Sequence, residues 1–185
     1  MNTLTTWEAV KKRLDLEDGQ ENEAEGLIAV ASRRAETYTS RKLSADDHVV
    51  ILSGTGSRTL QLPQYPILSV TGVWLDTWGV FDPGTELTEY TRDDETGRLF
   101  CRSLWMRGFR NIKVSYRAGY EEGSIPEDLE ESVIQLVGYW LGSQGISWLD
   151  KGNAVSGEYQ TMYVGVMDLP FQVRNVWDAY REVSV

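Results

Sequence analysis

A chain of 185 residues is long enough for one ordinary domain, or one domain carrying a sizeable insertion, and too short for two full ones. Its composition, 41% hydrophobic, 25% charged and 11% aromatic, excludes disordered and low-complexity classes, and no apolar run approaches the roughly 20 residues of a membrane span. Residues 1–47 carry 7 basic and 10 acidic side chains, residues 48–119 carry 8 and 7, and residues 120–185 carry 3 and 11, so the net charge of −10 concentrates in the last third, which repels a phosphate backbone and argues against tight DNA binding.

A surface past which DNA slides without sticking remains allowed. The first six residues have no basic start followed by an apolar core, so no secretory leader is expected. One cysteine, Cys101, cannot form an internal disulfide, which fits a reducing compartment, and with one histidine, His48, it leaves no ligand set for structural zinc. No metal or other cofactor is expected.

In chain order, Thr5-Thr6-Trp7-Glu8 has capping-box spacing from Thr5 to Glu8 and predicts a short helix ending near Leu14 to Leu16. A second helix follows, with Ala24, Leu27, Ile28, Ala31, Ala35 and Tyr38 recurring as one buried stripe. Glu21, Glu23 and Glu25 crowd its start and Arg33, Arg34, Arg41 and Lys42 its end, the polarity a helix dipole favours.

From His48 the period changes to two. Strands are expected at residues 49–52, 59–62 and 67–76, with a hairpin formed by residues 89–91 and 97–100 around Asp93-Asp94-Glu95-Thr96. Residues 111–116 close the block, Ile112, Val114 and Tyr116 alternating with Lys113, Ser115 and Arg117. A helix then starts at Pro126, with Ser124 to Glu127 as a second capping box, and Leu129, Val133, Leu136, Val137, Trp140 and Leu141 form its apolar face. Gly142 and Gly145 are expected to end it. Residues 146–169 show no sustained period, and Pro170 begins a last amphipathic helix with Val173, Val176, Trp177 and Tyr180 on one side.

The fold class expected is α+β, mainly α: a helical bundle from residues 1–47 and 120–185, with a small antiparallel β unit, residues 48–119, inserted between its helices.

The search for a catalytic centre returns mostly absences. There is no GxSxG, HExxH, DFG or GxxxxGK[ST] motif. Gly54-Thr55-Gly56-Ser57-Arg58 has amides that suit a phosphate, yet it lacks a third glycine and a following helix, and a hairpin turn is the expected state. His48 is read as a strand-end histidine and Cys101 as packed. Asp93-Asp94-Glu95, Glu121-Glu122 and Glu130-Glu131 are the paired carboxylates that a hydrolase would need. Neighbours in a turn or helix point apart and stay solvated, whereas a general acid needs burial to raise its pKa.

Seven tryptophans raise a binding role. Trp7, Trp140 and Trp177 lie on helical apolar faces and Trp74 on a strand, all read as core; Trp78 and Trp105 fall near loops, open to a sugar, a base or a protein. Trp148, Tyr159, Met162, Tyr163 and Met167 occupy the irregular stretch, where no local pattern covers them, and that points to assembly with another chain.

The order of segments resembles the head–tail connector proteins (adaptors, or head-completion proteins) of tailed bacteriophages. The likeness rests on four pieces: residues 35–43 (AETYTSRKL); residues 58–63 (RTLQLP) with residues 66–70 (PILSV); residues 114–120 (VSYRAGY) with residues 125–129 (IPEDL) and Tyr139-Trp140; and residues 156–159 (SGEY) with Leu169-Pro170 and residues 179–181 (AYR). The family shows Gly after Tyr-Thr where this chain has Ser40, and the β excursion with Trp78 to Pro83 is longer than in a minimal member.

The resemblance implies a non-enzymatic virion component. About twelve copies would form a ring beneath the portal, extend the DNA channel and receive the tail or a stopper protein, with DNA passing unbound. The location implied is the virion neck, with assembly in the host cytoplasm and no membrane. Ring symmetry makes the contact heterologous, so each subunit needs two different adhesive faces. Candidates are residues 146–169 with the last helix on one side, and the surface of residues 21–43 or the β block on the other. Docking on the portal is assigned to the first, through Trp148, Tyr159, Tyr163, Met167, Val173, Trp177 and Tyr180. The alternatives are a carbohydrate- or surface-binding module using the β-block tryptophans, and an acidic-pair hydrolase.

Overall fold

The computed structural model describes residues 3–149 and 169–181, residues 143–149 by their backbone alone. The chain divides into two compact units. Residues 3–39, 125–149 and 169–181 form a helical unit, and residues 40–124 form a β-rich unit that interrupts it in sequence. The α+β class is as expected, with four helices and two small antiparallel sheets among the described residues.

In the helical unit, α1 spans Trp7–Leu14. Its cap is Thr6, whose side chain accepts from the Ala9 amide, rather than Thr5. Thr5 is buried and its hydroxyl donates to Glu130 Oε1 at 2.9 Å, so a tertiary partner outcompetes the local box. After a 3-10 turn at Asp18–Gln20, α2 runs Glu21–Thr39 and buries Ala24, Ile28, Ala31, Ser32, Ala35 and Thr39, close to the expected stripe. It stops at Ser40, whose φ of 58° is the left-handed conformation that ends helices and that glycine adopts most readily. Arg41 and Lys42 therefore lie beyond the helix. Arg41 is buried in the other unit, its guanidinium 3.4 Å over the Tyr65 ring and donating to the Tyr65 carbonyl.

Helix α3 spans Glu127–Leu149 and α4 Phe171–Ala179. Ser124 does not cap α3; its hydroxyl donates to the Glu121 carbonyl in the preceding turn. Nor do the glycines end it: the helix continues through Gly142, which has no positive φ. A glycine weakens a helix by about 1 kcal/mol and stops it only where the chain turns left-handed.

Leu4, Val10, Ile28, Leu129, Val133, Leu136, Val137, Trp140, Val173 and Trp177 are buried in this unit. Each fully buried aliphatic side chain contributes about 1.5–3 kcal/mol. The Trp177 indole N–H donates to Ser132 Oγ at 2.9 Å, and its ring lies 5.7 Å from that of Tyr38. Trp7, read as core, is only half-buried on the first turn of α1.

In the β-rich unit every expected strand is present. Strands β1 (Asp46–Gly54), β6 (Gly108–Ala118) and β3 (Ile67–Leu75) form one antiparallel sheet in the order β1-β6-β3. Strands β2 (Thr59–Gln61), β5 (Arg98–Cys101) and β4 (Tyr90–Asp93) form a second, in the order β2-β5-β4. On β6, Ile112, Val114, Tyr116 and Ala118 are buried, as the alternation requires.

The unit reaches beyond residues 48–119 because its margins pair with each other. The Ala45 amide donates to the Tyr120 carbonyl at 2.9 Å and the Tyr120 amide to the Leu43 carbonyl at 2.8 Å. Gly119, with φ 107°, sits against this crossing, where a Cβ would approach the Ser44 carbonyl oxygen to 2.6 Å.

Candidate interaction surface

The register of the central sheet fixes which loops meet. Leu52 of β1 and Leu75 of β3 both face Ile112 of β6, so the end of β1, the end of β3 and the start of β6 lie at one edge of the sheet. The segments leaving that edge are residues 54–58, 76–81 and 102–110.

Residues 76–81 are held by one carboxylate. Asp76 accepts from the amides of Trp78 (2.8 Å), Val80 (2.9 Å) and Phe81 (2.8 Å), while its own amide donates to the Asn111 carbonyl at 2.9 Å. These amide donors hold the Asp76 carboxyl below its usual range. Phe81, at φ 54°, turns back to half-burial beneath Lys113, and Trp78 and Val80 are left 89% and 75% exposed.

The other two segments are laced together around Trp105. Gly56 N–H donates to the Trp105 carbonyl (3.0 Å), Trp105 N–H to the Ser57 carbonyl (2.8 Å), and the indole N–H to the carbonyls of Arg58 (3.1 Å) and Leu99 (3.2 Å). Trp105 is wholly buried, which overturns its expected place at a loop surface. Its neighbours Leu104 and Met106 are turned outward, 60% and 51% exposed. Asn111 joins the pieces, accepting from the Gly54 amide at 2.9 Å and donating to the Met106 carbonyl at 2.9 Å. Met106 Sδ lies 3.8 Å from the Thr77 hydroxyl, beside the Trp78 segment. Phe109, 85% exposed, stands between Gly108 and Arg110, and the Arg110 amide donates to Ser53 Oγ at 3.0 Å.

One end of the β unit thus presents Trp78, Val80, Leu104, Met106 and Phe109 to solvent, together with the exposed Arg58, Arg102, Arg107 and Arg110. Among the described residues these four arginines take part in no ion pair. Sequence reasoning singled out Trp78 alone. The signal for the rest was a run of large apolar residues and arginines between turn residues at 102–110, which the strand pattern on either side obscures.

The other candidates resolve as follows. The amides of Gly54 and Gly56 are spent on Asn111 and Trp105, so those groups offer no phosphate cradle, and the expected hairpin turn is instead a crossing between sheets, because β1 pairs with β6 and β2 with β5. With Trp105 buried and Trp74 half-buried beside Lys113 (5.1 Å), Trp78 is the one strongly exposed tryptophan of the β block. Cys101 is buried, as expected. His48 is half-buried against Tyr116, and desolvation lowers its pKa.

The carboxylates shifted among the paired candidates, Asp93 and Glu131, move downward, through hydrogen bonds from Thr96 and Arg13 respectively. A general acid requires the opposite shift. Among the described residues, no three or more His, Cys, Asp or Glu side chains gather where they could hold a metal, and no helix is long and apolar enough to cross a membrane.

Of the residues assigned to partner binding, Val173 and Trp177 are buried within their own helical unit, and Tyr180 is half-buried with its hydroxyl donating to Asp128 Oδ1 at 2.6 Å. The apolar face of α4 is a packing face in this chain. Trp148 falls on the backbone of α3, its side chain outside the described residues, and Tyr159, Tyr163 and Met167 lie outside them too.

Comparison with known proteins follows the same direction. A chain from the neck of the empty GTA particle computed with C6 symmetry superposes with a TM-score of 0.56 at 18% identity, covering 89% of this chain and 80% of the neighbour. A chain from the virion of the native gene transfer agent (GTA) particle gives 0.57, and one from the neck of the native GTA particle computed with C12 symmetry gives 0.52, each at 18% identity and covering 100% of this chain and 96% of the neighbour. These likenesses show a shared fold. No curated protein matches the chain. The family model for head completion proteins matches residues 3–183, nearly the whole length, and the chain belongs to the head completion protein family.

Proposed function

We propose that the protein is a structural, non-catalytic component of a phage-like head–tail neck, in which about twelve copies form a ring beneath the portal, extend the DNA channel and receive the tail or stopper protein. The observation that carries this reading is the family match over residues 3–183. Fold neighbours in GTA necks computed with C6 and C12 symmetry support the ring.

The described part of the helical unit holds 7 basic and 13 acidic side chains, a net charge of −6. Such a surface facing the channel neutralises no phosphate and lets DNA pass without salt-dependent trapping. Assembly in the host cytoplasm precedes residence in the virion neck. Portal docking falls to the aromatic stretch with Trp148, Tyr159, Tyr163 and Met167, because the apolar side of α4 is already covered within the chain.

The test is electron microscopy of the protein mixed with its portal. The expected result is a closed ring of added density coaxial with the portal. Replacing Trp148, Tyr159 and Tyr163 by alanine should abolish that density and leave the thermal unfolding of the free protein unchanged. A wild-type protein that stays monomeric and unbound in the presence of the portal would refute the proposal.

A further inference from the structure

We infer that the apolar and arginine-bearing end of the β unit seats on the N-terminal half of α2 of a second copy, forming the subunit contact of the ring. This rests on the ring reading above and names its adhesive faces.

Trp78, Val80 and Phe109 are among the most exposed large apolar side chains of the described residues. Monomeric proteins rarely expose so many together unless the surface binds something. The exposure is built rather than incidental, because three amides bonded to Asp76 fix the Trp78 segment, and Trp105 fixes the segment opposite. A surface ordered before it binds loses little conformational entropy on association. Tryptophan and arginine are also the residue types that dominate interface energetics.

Charge selects the occupant. Arg107 and Arg110 have no acidic partner in their own chain among the described residues. Helix α2 opens with Glu21, Glu23 and Glu25, all exposed and likewise without an ion pair among the described residues. Gly26 and Val30, three and seven residues after Glu23 and so on its face of the helix, are both exposed. Gly26 sits inside the helix at a penalty of about 1 kcal/mol relative to alanine. Among the described residues nothing lies within 4 Å of where its Cβ would be, so none of their packing requires a glycine there. The bare backbone beside Val30 is room for a large side chain from outside, with Glu23 on the same face and Glu21 and Glu25 further round the same turns of the helix for the arginines. A ring contact is heterologous and needs two unlike complementary faces, and these two meet that condition. DNA is the weaker match, since the apolar side chains offer a phosphate backbone nothing.

The experiment uses the full chain, alone and mixed with its portal, and reads self-association by sedimentation velocity. Arg107→Glu with Arg110→Glu, and separately Glu21→Arg with Glu23→Arg and Glu25→Arg, should each weaken self-association by at least about tenfold. Both sets in one chain should restore it. Trp78→Ala with Phe109→Ala should weaken it without rescue, and circular dichroism should show all variants folded. Rings of wild-type strength in both charge variants overturn the inference and leave the ring reading intact. Loss of binding to a short DNA duplex with self-association unchanged also overturns it. A wild-type chain that never self-associates, even with its portal, overturns both.

Discussion

Trp177 separates two roles for the last helix, because a side chain that serves a partner and one that serves its own core respond differently to truncation. Trp177 is wholly buried, its indole N–H donates to Ser132 Oγ at 2.9 Å, and its ring lies against Tyr38. Replacing a buried tryptophan by alanine removes its transfer free energy and leaves a cavity, together about 3–5 kcal/mol. At about 2–4 °C per kcal/mol for a chain of this length, Trp177→Ala should melt about 6–20 °C below wild type. Trp177→Phe keeps most of the apolar volume and loses the hydrogen bond. The Ser132 hydroxyl still donates to the Leu129 carbonyl at 2.6 Å, so no group is stranded and the loss should be only about 1–2 kcal/mol. Thermal and urea unfolding of the free protein, followed by circular dichroism, give both values. An unchanged melting temperature in Trp177→Ala, with assembly alone impaired, would refute a packing role for this side chain.

Ser40→Gly should stabilise the protein by about 0.5–1 kcal/mol, because the residue ending α2 has φ 58°, which glycine adopts without a Cβ penalty; an unshifted urea midpoint would contradict this. Asp76→Ala should free the amides of Trp78, Val80 and Phe81 and speed their hydrogen exchange, with strand amides unaffected. Because the Asp76 pKa is lowered in the folded protein, its contribution is complete above the ordinary carboxylate range and is lost as pH falls through the lowered value, so the wild-type loop should loosen only in strong acid. Equal exchange rates in variant and wild type would show that the carboxylate does not order the loop.

Local patterns that are also burial patterns were legible without coordinates. On β6, side chains alternate between the core and the outside, and the two-residue period of Ile112, Val114 and Tyr116 states which is which. The stripe on α2 is legible for the same reason at a helical period. Cap and stop signals were less secure. Thr5 and Ser124 match the capping spacing, but each hydroxyl finds another acceptor, and Gly142 lies within a helix that continues. Such signals are worth about 1 kcal/mol, which a single tertiary hydrogen bond or packed neighbour can offset.

The amino-acid sequence by itself determined the α+β class, the strand and helix positions and the family likeness, because each depends on residues close together along the chain or on their order. Only the tertiary structure decided which tryptophan is core and which is surface. Trp78 and Trp105 both sit at strand ends among turn residues, and what separates them is that Trp105 meets the carbonyls of Arg58 and Leu99 while Trp78 is held outward by Asp76. That the exposed apolar residues near 78 and 109 share one end of the β unit is likewise not given by their order along the chain. The two arms become neighbours because β6 lies between β1 and β3, and that strand order is set by long-range pairing.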